Sequence, residues 1–163
     1  MPTQASQSSR LLFTFAESDL VLVRPFAERL RMSGSALSVD FSVTSEPFAA
    51  QRSGYIRASL AVRIRRSLAT VCLFGPDTFA DDWVLWTLEA AHSLGRPIVA
   101  APLTVAPSSQ AIDLFTSLGA AIVPARAELF ARHLARIAEE RDGPPLAAQE
   151  ALLTLRAMGH SLR

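Results

Sequence analysis

The chain contains no lysine, and all 16 of its basic residues other than histidine are arginines. Without a lysine amine the protein cannot form a Schiff base with a carbonyl substrate. The phosphate-binding lysine of Walker-type nucleotide sites is missing as well, and so is the lysine that a phospho-receiver site needs. Three classes of functional site are therefore excluded by one missing residue type.

Cysteine is nearly as scarce, since Cys72 is the only one in 163 residues. No disulfide can form within the chain, and the place of Cys72 inside a short apolar run predicts a core residue rather than a nucleophile. No stretch reaches the roughly 18 apolar residues that a membrane helix needs. The polar residues 1–9 lack the apolar region of a signal peptide. We therefore expect a cytoplasmic protein that does not bind a membrane.

The net charge is small, at +1, so no overall attraction draws the chain to nucleic acid. Several arginines between Tyr55 and Arg66 recur at helical spacing, which is more typical of a solvated helix face than of a nucleic-acid interface. The histidines His92, His133 and His160 stand far apart and predict no zinc site. Neither a nucleic acid nor a metal ion is expected as a partner.

Five short apolar segments alternate with amphipathic segments along the chain. We expect strands at residues 11–15, 36–41, 69–74, 98–101 and 120–123, and helices at about 19–32, 55–66, 83–94, 110–118 and 127–141. This alternation predicts a parallel sheet with helices on both faces. The right-handed crossover rule then gives a flavodoxin-like three-layer α/β/α sandwich of probable strand order 2-1-3-4-5.

Three regions follow from this pattern. Residues 1–9 are expected to be a disordered lead-in, residues 10–141 one domain, and residues 142–163 a C-terminal helical extension with a helix at about 146–158. A chain of this length is ordinarily a single domain. The extension is expected to cover the edge of the sheet, with a role in a dimer as the alternative.

Ligands of such sheets bind at the carboxyl ends of the strands, near the point where the strand order reverses. That rule brings together Phe15, Ala16, the long connection 42–53, the segment 75–82 and the helix that begins near Trp83. A connection of more than ten residues between a strand and a helix is unusually long, and such loops are often functional. We therefore expect one crevice bordered by these segments.

Several familiar chemistries do not fit this crevice. The loop after the first strand, Ala16-Glu17-Ser18-Asp19, has two acids and no glycine, unlike the amide-rich phosphate loop of a flavodoxin. A dinucleotide GxGxxG motif and a GxSxG serine elbow are both absent. FMN binding, Rossmann-type dinucleotide binding and serine hydrolysis are therefore disfavoured.

A series of short motifs is more specific in its order than any member alone. The series is Phe13-Thr14-Phe15-Ala16-Glu17-Ser18-Asp19, Val39-Asp40-Phe41-Ser42, Tyr55-Ile56 with Ile64-Arg65-Arg66-Ser67, Val71-Cys72-Leu73-Phe74-Gly75-Pro76-Asp77-Thr78, and Trp83-Val84-Leu85-Trp86 with Ala91 and Gly95-Arg96-Pro97-Ile98. Over about residues 10–137, the chain resembles bacterial TIR-like domains of the Thoeris antiviral defence type, within the TIR superfamily.

The resemblance implies a chemistry. Family members that are enzymes cleave the nicotinamide–ribose bond of NAD, and the Thoeris type cyclises the ADP-ribose into a signal that activates a partner effector. Cleavage passes through an oxocarbenium-like state, which a glutamate on the helix after the third strand stabilises. NAD or a related nucleotide would be a substrate rather than a cofactor, and a homo-oligomer through TIR-type contacts is implied. The substrate-binding residues would be Phe15, Ala16, Asp40, Ser42 and Trp83.

Thr87 stands where the resemblance places the catalytic glutamate. That glutamate lies four residues after Trp83, four before Ala91 and eight before Gly95, and all three landmarks lead to Thr87. Threonine can hydrogen-bond a ribose hydroxyl but has no charge to oppose an oxocarbenium ion. Loss of such an electrostatic stabiliser typically costs about a hundredfold or more in rate. Ala16 also replaces a serine that is frequent in the family.

Three other acids, Glu89, Asp40 and Glu46, are candidates for the missing carboxylate. Glu89 lies two residues beyond Thr87, a rotation of about 200° along a helix, and is expected to face solvent. Asp40 and Glu46 border the predicted crevice and could supply a carboxylate, although solvated strand-end and loop acids are the more ordinary interpretation.

The sequence is compatible with three hypotheses. The chain is an active NAD-processing TIR-like enzyme with a displaced acid, or an inactive TIR-like sensor or scaffold that binds a nucleotide or another TIR domain. The third is an unrelated flavodoxin-like binding domain, which the order of the motifs disfavours. A defence effector linked by a diffusible signal is the partner expected for the first.

Overall fold

The computed structural model describes residues 9–33, 37–42, 47–104 and 106–142. Its strands are β1 (Ser9–Thr14), β2 (Leu37–Phe41), β3 (Ala69–Phe74), β4 (Ile98–Pro102) and β5 (Ala121–Ile122). Its helices are α1 (Leu20–Met32), α2 (Ser53–Arg66), α3 (Asp82–Ser93), α4 (Ser109–Ser117) and α5 (Ala127–Asp142). Short 3₁₀ turns, Glu17–Asp19 and Thr78–Ala80, precede α1 and α3.

The strands form one parallel sheet in the order β2-β1-β3-β4-β5. The predicted flavodoxin-like three-layer architecture and strand order are therefore confirmed. Strand order reverses between β1 and β3, where Phe13 of β1 pairs with Val71 of β3. This reversal places a natural crevice at the carboxyl ends of these two strands.

Two hydrophobic cores lie on opposite faces of the sheet, as alternation of side chains along a buried strand requires. On one face Phe13 packs with Phe26 of α1 and Phe130 of α5. On the other, Cys72 packs among residues of α2, α3 and α4, among them Leu88. All six residues of β3 are buried, and Cys72 is a core residue as predicted.

The element bounds differ from the sequence-based ones in two places that have a physical cause. β1 begins at Ser9, inside the predicted lead-in, because Ser9 pairs with Leu37 in β2. β5 contains only two residues, because it is the outer strand of the sheet and Pro124, which follows shortly, has no N–H to donate.

Three predictions fall on residues outside the described ranges: the lead-in over residues 1–8, the helix at about 146–158, and the acid at Glu46. Within the described ranges, no helix is long and apolar enough to cross a membrane.

Candidate functional site

A shallow cavity of about 390 Å³ opens at the carboxyl edge of β1 and β3. The chain after β1, the connection before α2, and the β3–α3 loop contribute to it. It is lined by Ala16, Glu17, Ser18, Pro47, Phe48, Asp77, Ala80, Asp81, Asp82 and Trp83. The predicted crevice therefore exists, and it lies at the predicted end of the sheet.

The β3–α3 loop is held by hydrogen bonds that its own sequence supplies. The Gly75 N–H donates to Thr78 Oγ1 at 2.7 Å, which closes the turn directly after β3. Asp81 Oδ1 accepts from the backbone N–H groups of Trp83 and Val84 at 2.9 and 3.4 Å. Asp81 is thus the N-cap of α3, a position where a carboxylate satisfies free backbone N–H groups and the positive end of the helix dipole.

An aromatic wall forms one side of the crevice. The Phe48 and Trp83 rings meet edge to face with centroids 4.9 Å apart. The Arg57 guanidinium of α2 lies 4.3 Å from the Phe48 centroid and 5.9 Å from that of Trp83. Cation–π attraction of this kind holds the Phe48 ring, which lies in a loop, against α2.

Thr87 is fully buried beneath this wall. Its hydroxyl donates a hydrogen bond of 2.7 Å to the Trp83 carbonyl oxygen, one turn earlier in α3. The side chain therefore belongs to the packed face of the helix and does not line the cavity. Glu89 is exposed, on the solvent side of the helix as its spacing predicts.

Asp19 is the most unusual carboxylate of this region. It is the N-cap residue of α1, yet its side chain makes no capping hydrogen bond. Its carboxylate turns to β3 instead, where a Cβ on Gly75 would lie 3.2 Å from Asp19 Oδ2. Oδ2 is buried without a hydrogen-bond partner among the described residues. An N-cap carboxylate ordinarily accepts from the helix backbone, and Asp19 does not.

The surroundings of Asp19 change its acidity. Burial raises the pKa of the Asp19 carboxyl above its ordinary value, and the negative charge of Asp77 raises it further. Burial also raises the pKa of the Cys72 thiol far above its usual range, with a second contribution from the charge of Asp19. Asp19 thus lies at the junction of β1 and β3, and Cys72 is not a thiolate nucleophile.

The five residues expected to bind substrate are not all brought together. Ala16 and Trp83 line the cavity. Phe15 is buried and meets Phe41 edge to face at 5.4 Å, inside the core on one face of the sheet. Ser42 is buried too, and its N–H donates to the Phe13 carbonyl at 2.9 Å.

Asp40 lies on the edge strand β2, where Arg63 of α2 holds it. The Arg63 Nε and Nη2 atoms donate to its two carboxylate oxygens at 2.7 and 2.6 Å. Arg63 Nη2 also donates to the Phe41 carbonyl at 2.6 Å. Asp40 is not part of the cavity lining, so the structure gives it a partner that fastens α2 to β2.

Sequence reasoning missed Asp19 and Phe48 as residues of the site. Asp19 was visible as an acid in a loop where flavodoxins carry glycine, but its direction depends on the turn of chain before α1. Phe48 had no periodic signal, because the path of a long connection is not encoded by hydrophobic spacing.

The cavity lining is acidic, with Glu17, Asp77, Asp81 and Asp82 and no arginine. A crevice lined by one sign of charge attracts the opposite sign, so its field favours the cationic part of a ligand. Within the described part of the chain, no three His, Cys, Asp or Glu residues are grouped so as to hold a metal ion.

Comparison with solved structures finds a similar α/β fold in other proteins. The CMP N-glycosidase BcmB of Clostridium botulinum has 11% identity and a TM-score of 0.50, and the match covers 78% of this chain and 99% of that one. A 2-deoxyribosyltransferase of Bacillus psychrosaccharolyticus has 19% identity and a TM-score of 0.49, over 64% and 80%. A search of curated proteins finds no significant match.

The family model for the TIR-like domain of Thoeris protein ThsB matches residues 15–107. That range is more than half of the 163 residues and contains the crevice, Asp19, the aromatic wall and all of α3. The resemblance drawn from the motifs is thus confirmed, and the protein is a TIR-like module of bacterial antiviral defence. The chain belongs to the Thoeris ThsB TIR-like domain family.

Proposed function

We propose that this module binds an NAD-type nucleotide by its nicotinamide–ribose end in the crevice and does not cleave it by the family's route. The observation that carries this proposal is the state of Thr87, which is fully buried with its hydroxyl bonded to the Trp83 carbonyl. It offers neither a charge nor an accessible hydrogen-bond donor to a ribose. The chain would then act in defence as a sensor or scaffold.

The crevice suits the nicotinamide end of NAD in two respects. The ring of oxidised nicotinamide carries a positive charge, which the acids Glu17, Asp77 and Asp82 attract. The Trp83 and Phe48 rings provide an aromatic wall against which a flat ring can pack. Arg57 already lies over the Phe48 ring, so a cationic ring would pack on the side of the wall away from Arg57. The same acids repel a pyrophosphate, so the nucleotide's phosphates would point out of the crevice.

Cleavage by the family's route needs a carboxylate beside the anomeric carbon. The transition state has oxocarbenium character, and an electrostatic stabiliser acts best when it is fixed and shielded from water. Thr87 has no charge, and Glu89 is on the exposed side of α3. Within the described residues, α3 therefore places no carboxylate at the family's catalytic position.

A second candidate function, cleavage of NAD with a displaced acid, is favoured by Asp19. Its Oδ2 has no partner among the described residues at the β1–β3 junction. Asp19 does not itself line the cavity, but the adjacent Ser18 does, so this candidate requires the Asp19 side chain to rotate toward the ribose. In this reaction the bond from C1′ of the ribose to the nicotinamide nitrogen breaks and its electron pair leaves with neutral nicotinamide. Ionised Asp19 would stabilise the cationic ribosyl group, and water, or a hydroxyl of the same molecule, would add to C1′ and lose a proton.

One experiment separates the two candidates. The protein is titrated with NAD while tryptophan fluorescence is followed, and nicotinamide release is measured by chromatography. Saturable quenching without nicotinamide supports the sensor. Nicotinamide release that is lost in Asp19→Asn supports the displaced acid, and release that persists in Asp19→Asn eliminates it. If the titration gives neither quenching nor nicotinamide release, both candidates are contradicted.

Phe48→Ala tests whether binding occurs in this crevice, because it removes one ring of the aromatic wall. Loss of a stacking ring typically costs about 1–3 kcal/mol of binding, which corresponds to roughly 5-fold to 150-fold in affinity. Tyr55→Ala is the matched control, since Tyr55 is 81% exposed and does not line the cavity. Equal weakening in both variants would place the ligand elsewhere.

The proposal extends to location and assembly. We expect the protein in the cytoplasm, where it would form a homo-oligomer through TIR-type contacts. A defence effector reached through a diffusible signal would be its partner only under the second candidate, cleavage of NAD. Light scattering across a range of protein concentrations, with and without NAD, tests the assembly. A monomer under every condition would contradict it.

A further inference from the structure

A second cavity, of about 400 Å³, lies at the opposite edge of the sheet from the crevice. It is built where β3, β4 and β5 begin, and α5 closes its side. The residues that line it are Leu68, Gly95, Arg96, Pro97, Ile98, Gly119, Ala121, His133, Arg136, Ile137, Glu140 and Arg141. Its size is within the range of small-molecule pockets.

The charges of this cavity are opposite to those of the crevice. Three arginines, Arg96, Arg136 and Arg141, line it together with one acid, Glu140. Among the described residues, ion pairs are formed by Arg31 and Arg63 but not by these three. These three cations therefore face a common space in which Glu140 is the one acid among the lining residues.

Arg96 shows most directly that an anion would be favourable here. One of its terminal nitrogens donates to the Ser67 carbonyl, which fixes the guanidinium between α2 and β4. Its Nε is buried and has no partner in the part of the chain that the structure describes. Burial lowers the pKa of Arg96, and the positive charge of Arg141 lowers it further, so the two cations lie close enough to repel each other.

We propose that this cavity binds a small phosphate-bearing molecule, with the phosphate between Arg96, Arg136 and Arg141. Arginine presents a planar fork of donors that matches phosphate oxygens. The apolar residues Leu68, Ile98 and Ile137 line the same space and would contact the less polar part of the ligand. The inference is separate from the proposed function, because the crevice lies at the other edge of the sheet.

A competing occupant is the chain's own segment 143–163, which follows α5 directly. Its side chains include two arginines, Arg156 and Arg163, and one acid, Glu150. Such a segment does not complement a cavity lined by three arginines, whereas a phosphate does. If this segment nevertheless filled the cavity, the full chain would not bind a phosphate probe there.

The test uses the full chain and sodium pyrophosphate as the probe, with binding followed by calorimetry and by thermal shift. We expect saturable binding that weakens with added salt, as phosphate–arginine contacts do. The double variant Arg136→Gln with Arg141→Gln should weaken binding about tenfold or more. Arg132→Gln is the matched control, because Arg132 is exposed on the same helix but does not line the cavity.

Two further arms make the outcome decisive. Phe48→Ala, which alters the crevice, should leave pyrophosphate binding unchanged. If this variant lost pyrophosphate binding, the anion would be bound in the crevice instead. Circular dichroism of every variant checks that it folds. Absence of saturable binding at about 10 mM pyrophosphate, or equal binding by the double variant and Arg132→Gln, overturns the proposal.

Discussion

The Arg63 guanidinium donates two hydrogen bonds, of 2.7 and 2.6 Å, to the Asp40 carboxylate and a third to the Phe41 carbonyl oxygen. The pair joins the last turn of α2 to the outer strand β2. Asp40, which the family resemblance assigned to substrate binding, is thus paired with Arg63 of the same chain. A substitution of Asp40 can therefore show whether this carboxylate contributes to stability, to ligand binding or to both.

Asp40→Ala is expected to lower the free energy of unfolding by about 0.3–1 kcal/mol, because the two side chains remain 50% and 32% exposed and exposed pairs contribute little. Urea denaturation measures this loss, which should shrink at high salt. Glu28→Ala, which breaks the exposed pair with Arg31, is the control and should cost less. NAD quenching should be unchanged. If Asp40→Ala abolished quenching at unaltered stability, the sequence-based assignment of Asp40 to the ligand would be supported.

The strands and helices follow from the sequence because they depend on local patterns, and the sheet order then follows from the right-handed crossover rule. Continuous apolar runs mark strands that are buried on both faces, and spacing of three to four residues marks the packed side of a helix. Trp83, Thr87 and Ala91 recur every four residues, and this spacing places them on one side of α3. Their burial in the structure follows directly.

The site was less predictable, because it depends on the directions of single side chains in loops. Asp19 occupies an N-cap position, where a carboxylate ordinarily bonds the helix backbone. Here the Asp19 side chain points toward Gly75 instead, and the spacing of apolar residues in the sequence does not predict this direction. Phe48 likewise reaches Trp83 only through the path of the loop before α2.

Thr87→Glu, which restores the family's residue type, is expected to destabilise the protein by about 3 kcal/mol or more, because it would bury a carboxylate without a partner. Thr87→Val is the matched control. It keeps the shape and removes only the hydroxyl that bonds the Trp83 carbonyl, so it should cost about 1 kcal/mol. Urea denaturation gives both values. Wild-type stability of Thr87→Glu, together with nicotinamide release, would show that position 87 can face the crevice.

Asp19→Asn is expected to stabilise the protein at pH 7 but much less near pH 4. The folded-state pKa of this acid is raised above the ordinary value of 3.8, so the folded state binds the proton more tightly than the unfolded state. The stability that protonated Asp19 contributes is present below the unfolded pKa and is lost as the pH rises through the folded pKa. The amide side chain introduced by Asp19→Asn does not titrate, so the variant does not lose this stability as the pH rises.

Urea midpoints of wild type and Asp19→Asn at the two pH values check this dependence. Asp113→Asn, on the exposed side of α4, is the control and should shift little at either pH. An Asp19→Asn effect of equal size at both pH values would mean that the carboxyl does not resist ionisation in the folded protein.

Gly95→Ala and Gly54→Ala should change stability in opposite directions, although a new Cβ would meet no heavy atom within 4 Å at either position. Gly95 ends α3 with a φ of +63°, a left-handed conformation that costs an alanine roughly 1 kcal/mol. Gly54 lies in the first turn of α2 at an ordinary φ, where alanine reduces the freedom of the unfolded chain and should add about 0.4–1 kcal/mol. Both values come from urea denaturation. Because space is equally open at the two sites, the difference isolates the backbone conformation, and equal effects would mean that the turn after α3 relaxes to accept a side chain.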